Sequence, residues 1–376
     1  MEFYKDMKDK KNKKNMKNRN YSYKFICFVL LVLSLFSIVI FCSVKNYYSF
    51  KSDANFVNSN LNQKVSILGK NIGLKLYTNG ALVIGMSEIE TNNGEMVKPY
   101  QGSKIEIGDI IKEVNGIRIN KAEDIKDILN KNGEKKIEIK FEKEKKLITT
   151  NMCPVKVYDG SYMLGLWIRD SAAGLGTLTF VDKENNAFAA LGHGIEDIDT
   201  GRIIDVSNGE IVTSKIISII KAKNNEPGEI RGTIDEGIKL GNLIKNTDIG
   251  VYGSITNNEF ISQNEIMEVD VANRNQIKKG KAEIYCELEN GKVDKFEIEI
   301  KRIYRMNSMD NKSMLIKITD KRLLEKTGGI IPGMSGTPII QDGKFIGAIT
   351  HVLVNNPTEG YAVFADMMIK QMRKEE

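Results

Sequence analysis

Hydrophobic and polar positions divide the chain into three stretches with different periods. The first, residues 25–44 (FICFVLLVLSLFSIVIFCSV), is a run of twenty uncharged residues between Lys24 and Lys45. A helix of that length is about 30 Å long, the thickness of the hydrocarbon layer of a bilayer. The run therefore predicts a single transmembrane helix. The alternative is a cleaved secretory signal, but the apolar region of such a signal usually has about 7–15 residues, and no small-x-small cleavage site ends this run.

Residues 66–150 have the pattern of a small α+β domain. In GSKIEIGDIIKEVNGIRI, the pair Asn115-Gly116 is a tight hairpin signal. A helix is expected next, with Asn120 as its N-cap, Glu123 as the capping-box partner and Gly133 as its end. Apolar residues then alternate in KKIEIKFE, which indicates a half-buried strand.

From residue 151 onward, short apolar runs are separated by Gly, Asn and Asp. Examples are GTLTFVD, NAFAAL, DIGVYGSI and KFEIEIKRIY. Many short strands at roughly even spacing, with few helices between them, are typical of a β-barrel or a β-sandwich. The length of residues 151–376 fits a double β-barrel, so the expected fold class is mainly β.

Charge is concentrated at the N-terminal end. Residues 1–24 contain nine Lys or Arg against three Asp or Glu, a net of +6 that equals the net charge of the whole chain. The remainder is balanced and does not favour a nucleic-acid-binding face. A basic tail before an apolar helix stays in the cytoplasm, so residues 45–376 are expected across the membrane. Residues 45–65 are rich in Asn and Ser and indicate an exposed stalk.

Cysteine usage gives no sign of thiol or metal chemistry. Only Cys153 and Cys286 lie outside the apolar run, and no CxxC or CxxH spacing occurs. Two cysteines make no disulfide framework, although the sequence does not decide whether they pair. We expect no metal and no cofactor.

The segment GGIIPGMSGTPII places Ser335 between glycines, two residues after Gly333. An ordinary Gly-Ser turn is one interpretation. The other is a nucleophilic serine, and the α/β-hydrolase form of that motif is excluded because Pro338 and the hairpin signal Asp342-Gly343 follow instead of a helix. A serine that enters a β-hairpin is typical of barrel-type serine peptidases. In that geometry the amides of Gly333 and Ser335 form the oxyanion hole.

The chain has two histidines, and a general base for a hydroxyl nucleophile is most often histidine. His193 lies between two glycines after an apolar run, so it is either the presented base or a surface turn residue. His351 lies inside an apolar strand, where packing is the expected role. A second serine, Ser171, has no flanking glycine, and the AAGLG after it is expected to form a hairpin.

A third residue has to orient the imidazole of a catalytic histidine. Asp320 falls between His193 and Ser335 in chain order, as in chymotrypsin-like enzymes, but it also stands where it would cap the short helix KRLLEKT. Capping is favoured by the local pattern. The other candidates are Asp197, Asp199 and Asp248.

Two resemblances bear on these alternatives. Residues 66–150, with GDIIKEVNG as their clearest segment, resemble a bacterial PDZ domain, which binds an extended peptide by strand addition beside a helix. The alternative is another small α+β domain with the same turns. The runs LGLWIRDSAAGLGTLTF, AALGHGIEDIDTG, ITDKRLLEKTGGIIPGMSGTPII and GAITHVLVNNPTEGY together resemble the stage IV sporulation protein B family of signalling serine peptidases. High-temperature-requirement proteases differ in that their PDZ domain follows the peptidase.

The second resemblance implies a catalytic triad of His193, Asp320 and Ser335, with a chymotrypsin-like double barrel over residues 151–376. It implies a peptidase in the space between forespore and mother-cell membranes that cleaves itself, in the stalk, and then a membrane-bound regulatory protein. That cleavage would trigger late mother-cell sigma-factor activation. The partners are therefore a protein or peptide substrate, the chain itself and the membrane, with no nucleic acid. The alternative is a tethered PDZ scaffold on a peptidase-like barrel that no longer cuts.

Overall fold

The computed structural model describes residues 63–305 and 311–373, which lie in one compact unit of the chain. They form strands and four helices. The strands are β1 (Lys64–Met86), β2 (Ile89–Glu90), β3 (Met96–Val97), β4 (Ile110–Val114), β5 (Ile117–Arg118), β6 (Ile137–Lys143), β7 (Lys146–Met152), β8 (Val155–Lys156), β9 (Tyr162–Met163), β10 (Leu166–Asp182), β11 (Ala187–Ala190), β12 (Val206–Ile220), β13 (Glu229–Thr247), β14 (Gly250–Ile255), β15 (Met267–Asp270), β16 (Gly280–Glu289), β17 (Lys292–Ile303), β18 (Met314–Ile318), β19 (Pro338–Gln341), β20 (Lys344–Val352) and β21 (Glu359–Phe364). The helices are α1 (Ala122–Asn132), α2 (Asn258–Asn264), α3 (Lys321–Thr327) and α4 (Ala365–Arg373).

Six strands of the largest sheet close on themselves and form the first barrel. Their order is β10, β11, β14, β13, β12 and β1, and β1 also pairs with β10. The ring is filled by aliphatic side chains that alternate inward along each strand, among them Leu74, Leu178 and Val251. A mainly β fold was predicted, and this is confirmed.

The first strand of that barrel comes from before the α+β domain, not after it. Residues 66–77 of β1 pair with residues 171–181 of β10, and residues 72–78 pair with β12. The sequence-derived boundaries at 66 and 151 therefore differ from the structure, which gives the first half of β1 to the barrel. The reason is that these pairings join residues between 94 and 141 positions apart, and no local pattern records them.

The α+β module continues from the second half of β1. Residues 81–82 pair with β4, which pairs with β6, which pairs with β7. Helix α1 packs on this sheet through Ile125 and Leu129. The predicted hairpin at Asn115-Gly116 is confirmed, since both residues have positive φ and Val114 pairs with Ile117.

The start of α1 differs by one residue from the prediction. Lys121, not Asn120, is the N-cap, and the capping-box partner at the third helical position is Asp124. The carboxylate of Asp124 accepts hydrogen bonds from the backbone N–H groups of Asn120 and Lys121. Asp124 reaches back to the N–H of the N-cap residue and to that of the residue before it, whereas Glu123 contacts Lys121 on the exposed side.

The second barrel is closed by strands β16 to β21. Its core is rich in isoleucine, with Ile298, Ile316 and Ile339 fully or almost fully buried. The predicted turn at Asp342-Gly343 is confirmed between β19 and β20. Helix α3, predicted as KRLLEKT, is also confirmed, and it ends at Gly328 in the left-handed conformation.

Three predicted segments lie outside the described residues: the basic tail (1–24), the transmembrane helix (25–44) and the stalk (45–65) except its last three residues. Within residues 63–305 and 311–373, no helix has the length and apolar character to cross a membrane. Cys153 is exposed, Cys286 is buried, and both are free thiols.

Candidate active site

A cavity of about 760 Å³ is lined by residues of both barrels. His193 and Ser335, which the sequence proposed as partners, both line it. His193 follows β11 of the first barrel, and Ser335 precedes β19 of the second. Two residues 142 positions apart in the chain are thus brought to one site by the two barrels.

The loop that carries Ser335 is held by backbone contacts. The Met334 N–H donates to the Ile331 carbonyl, and the Gly336 N–H donates to the Ile349 carbonyl. Thr177 of β10 makes two further contacts: its N–H donates to the Ser335 carbonyl, 3.1 Å, and its hydroxyl donates to the Gly333 carbonyl, 2.9 Å. The loop is therefore pinned by the first barrel as well as by the second. Sequence reasoning missed Thr177, since nothing in GTLTFVD distinguishes it from an ordinary strand residue.

Two backbone N–H groups of this loop are candidates for an oxyanion hole. Among the hydrogen bonds between described residues, none involves the N–H of Gly333 or of Ser335. Gly333 has a φ of 100°, a conformation that an L side chain rarely adopts. A Cβ added at Gly333 would lie 2.9 Å from the Cβ of Ile230, which leaves little space for a side chain. Two donors without a partner in the described part of the chain, two residues apart on a loop that lines a cavity, meet the first requirement of an oxyanion site.

His193 is held in one tautomer by its own loop. Its Nδ1 lies 2.7 Å from the Gly194 carbonyl oxygen. A carbonyl only accepts, so Nδ1 carries the proton and Nε2 is the free acceptor of the neutral ring. Burial lowers the pKa of His193 below its ordinary value, against smaller opposing effects of the Gly194 carbonyl and Glu196. The ring is therefore a neutral base at pH 7.

The hydroxyl of Ser335 donates to the Thr350 carbonyl, 3.1 Å, and not to His193. Catalytic hydrogen bonds are often long or misaligned before substrate binds. Attack on a substrate requires this hydroxyl to exchange the Thr350 acceptor for Nε2 of His193.

His351 also lines the cavity, beside His193. The two ring centroids are 5.1 Å apart, with 39° between the ring planes. The Nδ1 atom of His351 is buried and has no hydrogen-bond partner among the described residues. Burial, together with His193 and Lys312 nearby, lowers its pKa to about 4. The sequence assigned His351 to packing, and the structure places it in the site.

Asp320, the expected third member of the triad, lies away from this cavity. Its carboxylate caps α3 by accepting from the Arg322 N–H, 2.9 Å, and pairs with the Arg322 guanidinium, 2.8 Å. The Glu297 N–H also donates to it, 3.3 Å. In the register of the second barrel, Leu315 of β18 and His351 of β20 both pair with Tyr361 of β21. Asp320 is five residues past Leu315, which places it roughly 16 Å further along the strand direction. The structure therefore does not bring Asp320 together with His193 and Ser335 as the resemblance implies: chain order places it between the other two, but it follows β18 beyond the cavity.

Of the other acidic candidates, Asp248 lines the cavity. It stands in the turn between β13 and β14, and its carbonyl accepts from the Asn311 side chain, 2.9 Å. A Cβ added at Gly194 would lie 2.7 Å from the Thr247 carbonyl oxygen, so the turn that carries Asp248 lies beside the loop that carries His193. Asp197 instead forms an ion pair with Arg169, and Asp199 pairs with the same guanidinium group.

Ser171 lies outside the cavity, and its hydroxyl donates to the Asp170 carboxylate, 3.1 Å. The hairpin predicted at AAGLG is wrong, because these residues lie within the continuous strand β10. Within the described ranges, no cluster of three or more His, Cys, Asp or Glu side chains is placed to hold a metal ion.

One cavity between two barrels thus presents a loop serine and a neutral histidine, the nucleophile and the base of a serine peptidase. The family model described as SpoIVB peptidase S55 matches residues 160–369, more than half of the chain. The chain belongs to this SpoIVB peptidase family.

Solved structures show two partial likenesses. One is to the PDZ domain of an SdrC-like protein from Listeria monocytogenes, with 14% identity over 24% of this chain and 87% of that one, at a TM-score of 0.20. The other is to the HtrA-type protease AlgW with a decapeptide, with 13% identity over 55% of this chain and 53% of that one, at a TM-score of 0.31. No curated protein sequence matches the chain.

Proposed function

We propose that the chain is a membrane-tethered serine endopeptidase of sporulation. The observation that carries the catalytic part is that Ser335 and the neutral His193 line the same cavity. The ring-like first barrel and the closed second barrel support a chymotrypsin-like architecture, because each contributes one of the two residues.

The reaction proceeds in two steps. Nε2 of His193 accepts the hydroxyl proton as Ser335 Oγ attacks the carbonyl carbon of the scissile peptide bond. The tetrahedral oxyanion is stabilised by the N–H groups of Gly333 and Ser335. His193 then gives the proton to the leaving amine, which breaks the C–N bond and leaves an acyl-enzyme. Water, deprotonated by the same ring, hydrolyses the ester.

The Gly194 carbonyl supplies the orienting function that the sequence assigned to Asp320. It fixes the tautomer, but as a neutral acceptor it stabilises an imidazolium less than a carboxylate does. Two carboxylates line the cavity with His193: Asp248, exposed in the turn between β13 and β14, and Glu196, whose charge favours the protonated ring.

The α+β module is a PDZ domain in this proposal. Its support is the order strand, strand, helix, strand, strand (β1, β4, α1, β6, β7), with the edge of β1 beside α1. Such an edge binds extended peptides by strand addition.

The cellular part of the proposal rests on sequence. The apolar run 25–44 anchors the chain, the lysine-rich tail keeps its N-terminus in the cytoplasm, and the exposed stalk is the site of self-cleavage. The resemblance to the sporulation family supplies the substrate class, a membrane-bound regulatory protein whose cleavage leads to late mother-cell sigma-factor activation, and the location between the forespore and mother-cell membranes.

The test uses the full chain in detergent micelles with a fluorophosphonate probe. The wild-type protein is expected to be labelled and to fragment in the stalk, and the Ser335→Ala variant is expected to do neither. Ser171→Ala is the matched control, because Ser171 is an exposed serine outside the cavity. Equal labelling of wild type and Ser335→Ala would instead favour the alternative of a non-catalytic scaffold.

A further inference from the structure

The peptide-binding edge of the α+β module is already occupied by the chain itself. Residues 166–169 of β10 pair antiparallel with residues 82–86 of β1, and the Ser87 N–H extends the ladder to the Gly165 carbonyl. This is the edge of β1 beside helix α1. We call the space between residues 82–86 and α1 the strand–helix groove, and residues 164–170 (LGLWIRD) the groove segment.

Side chains of the groove segment alternate as those of a bound peptide do. Leu166 and Ile168 pack against the core of the module, and Leu164 is 5% exposed within it. Trp167, between them, points outward and is 61% exposed. Backbone pairing supplies the attachment and the alternate side chains fill the pockets, which is the pattern of strand addition.

The segment is also fixed at the start of the helix. The Ala122 N–H, one of the orphan donors in the first turn of α1, donates to the Asp170 carboxylate, 2.7 Å. A cavity of about 700 Å³ remains beside the segment, lined by Ile125 and Leu129 of the helix and by Leu166 and Ile168 of the strand. The groove is occupied but not closed over its occupant.

The same strand reaches the catalytic loop. Beyond the groove segment, β10 continues without a break to Thr177, whose N–H and hydroxyl hold the Ser335 and Gly333 carbonyls. The Thr177 carbonyl also accepts from the Leu191 N–H, two residues before His193. A displacement at the groove therefore acts on a strand that contacts both catalytic loops.

We propose that the groove segment is an intramolecular ligand of the module, which an external extended peptide with aliphatic residues at two alternate positions displaces. This rests on the proposed function in that the module is taken as a peptide-binding domain. While the segment is docked, the catalytic loop is held in the geometry described. When a peptide replaces it, β10 loses its anchor at one end and Ser335 becomes less reactive.

The binding experiment uses the full chain in detergent micelles with Ser335→Ala, so that the probe is not cleaved. The probe is a fluorescently labelled peptide of residues 162–170, YMLGLWIRD, and binding is followed by anisotropy. Leu166→Ser with Ile168→Ser in the protein empties the pockets and is expected to tighten binding at least tenfold. The control pair, Ile217→Ser with Ile244→Ser, removes two exposed side chains elsewhere and is expected to change nothing.

Two further samples make the outcome decisive. Asp170→Asn weakens the contact with the Ala122 N–H, and the exposed contact with the Ser171 hydroxyl, without changing the pockets; it is expected to tighten binding by a few-fold, even if the double variant does not fold. A peptide with serine at the positions of Leu166 and Ile168, YMLGSWSRD, is expected not to bind. Equal affinity of the probe for the parent, the groove-segment variants and the control pair would overturn the proposal, as would binding of the serine-substituted peptide.

The link to catalysis is read in the chain with Ser335 intact. Saturating YMLGLWIRD is expected to slow fluorophosphonate labelling at least threefold, while YMLGSWSRD leaves the rate unchanged. An unchanged rate with bound peptide would overturn the link. Absence of labelling without any peptide would instead contradict the proposed peptidase, and the anisotropy result would still stand because it does not depend on catalysis.

Discussion

At the scale of single residues, the site depends on two histidines that burial keeps neutral. His193 presents its free Nε2 because Nδ1 is bonded to the Gly194 carbonyl, and His351 beside it has a pKa lowered to about 4. A positive charge on either ring would oppose protonation of the other, since the ring centroids are only 5.1 Å apart. The pair therefore favours the neutral form that a general base needs.

The first prediction concerns the pH dependence of activity. The base must be neutral, and burial lowers the pKa of His193, so kcat/KM is expected to fall only as the pH drops through a value below about 6.5, the ordinary histidine pKa. The measurement is kcat/KM for a fluorogenic peptide between pH 4 and 8. An acidic limb centred at or above pH 6.5 would contradict the environment described for His193.

A second prediction separates the two roles of Asp320. Asparagine is as good an N-cap as aspartate but carries no charge, whereas alanine does not cap. Asp320→Asn is therefore expected to keep peptidase activity within a few-fold, and Asp320→Ala to lower the free energy of unfolding by about 1 kcal/mol. Labelling of Ser335 and urea unfolding measure the two effects. A loss of activity in Asp320→Asn as complete as in Ser335→Ala would restore Asp320 to the triad.

Sequence reasoning found the residues of the site whose signal is local. The glycines around Ser335 and His193 are visible in short motifs, and both residues line the cavity. Asp320 was placed by chain order and by resemblance, and its position depends on how far β18 carries it beyond the site. The Gly194 carbonyl acts through the backbone, which does not depend on residue type, and the Thr177 hydroxyl acts on a loop about 156 positions away in the chain, which no local pattern records.

At the scale of elements, turns and short helices were predictable and strand partners were not. The turns at Asn115-Gly116 and Asp342-Gly343 need positive φ, and only a few residue types adopt it readily. The pairing of β1 with β10 depends on the closing of a barrel and on the groove segment. The glycines of AAGLG looked like a hairpin because a glycine inside a long strand and a glycine in a turn look alike in sequence.

A third prediction tests how tightly the nucleophile loop docks on the first barrel. A Cβ at Gly336 would lie 2.5 Å from the Leu191 nitrogen and from the Thr177 oxygen, and both are backbone atoms. Gly336→Ala is therefore expected to push the loop away from β10 and to slow fluorophosphonate labelling of Ser335 at least tenfold.

Gly343→Ala is the matched control for this variant. Gly343 has a φ of 75° against 91° for Gly336, but nothing lies within 4 Å of its added Cβ. The control carries the cost of positive φ, about 1–2 kcal/mol, without the backbone clash. Equal labelling rates in the two variants would show that backbone strain, and not the contact with Thr177 and Leu191, determines the effect.

At the scale of the whole molecule, the two barrels are joined by a buried ion pair. Lys70 of β1 and Glu287 of β16 are 3.3 Å apart, with 8% of each side chain exposed. The carboxylate of Glu287 also accepts from the N–H groups of Asn71, 3.0 Å, and Gly291, 2.6 Å. Because the active-site cavity is lined by both barrels, their relative position depends on contacts of this kind.

The fourth prediction is that Glu287→Gln destabilises the fold far more than loss of an exposed pair does. The change leaves the Lys70 ammonium buried without a counter-charge, which typically costs about 3–5 kcal/mol. Glu226→Gln, in the exposed pair of Lys223 with Glu226, is the control and is expected to change the free energy of unfolding by less than about 1 kcal/mol. Urea unfolding measures both free energies of unfolding, and we expect a lowered midpoint with an unchanged slope in Glu287→Gln.

Adding Lys70→Met to Glu287→Gln removes the buried ammonium that has lost its counter-charge and should recover part of the lost stability. If the double variant were no more stable than Glu287→Gln, the stabilisation would come from the backbone donors on Glu287 and not from its pairing with Lys70.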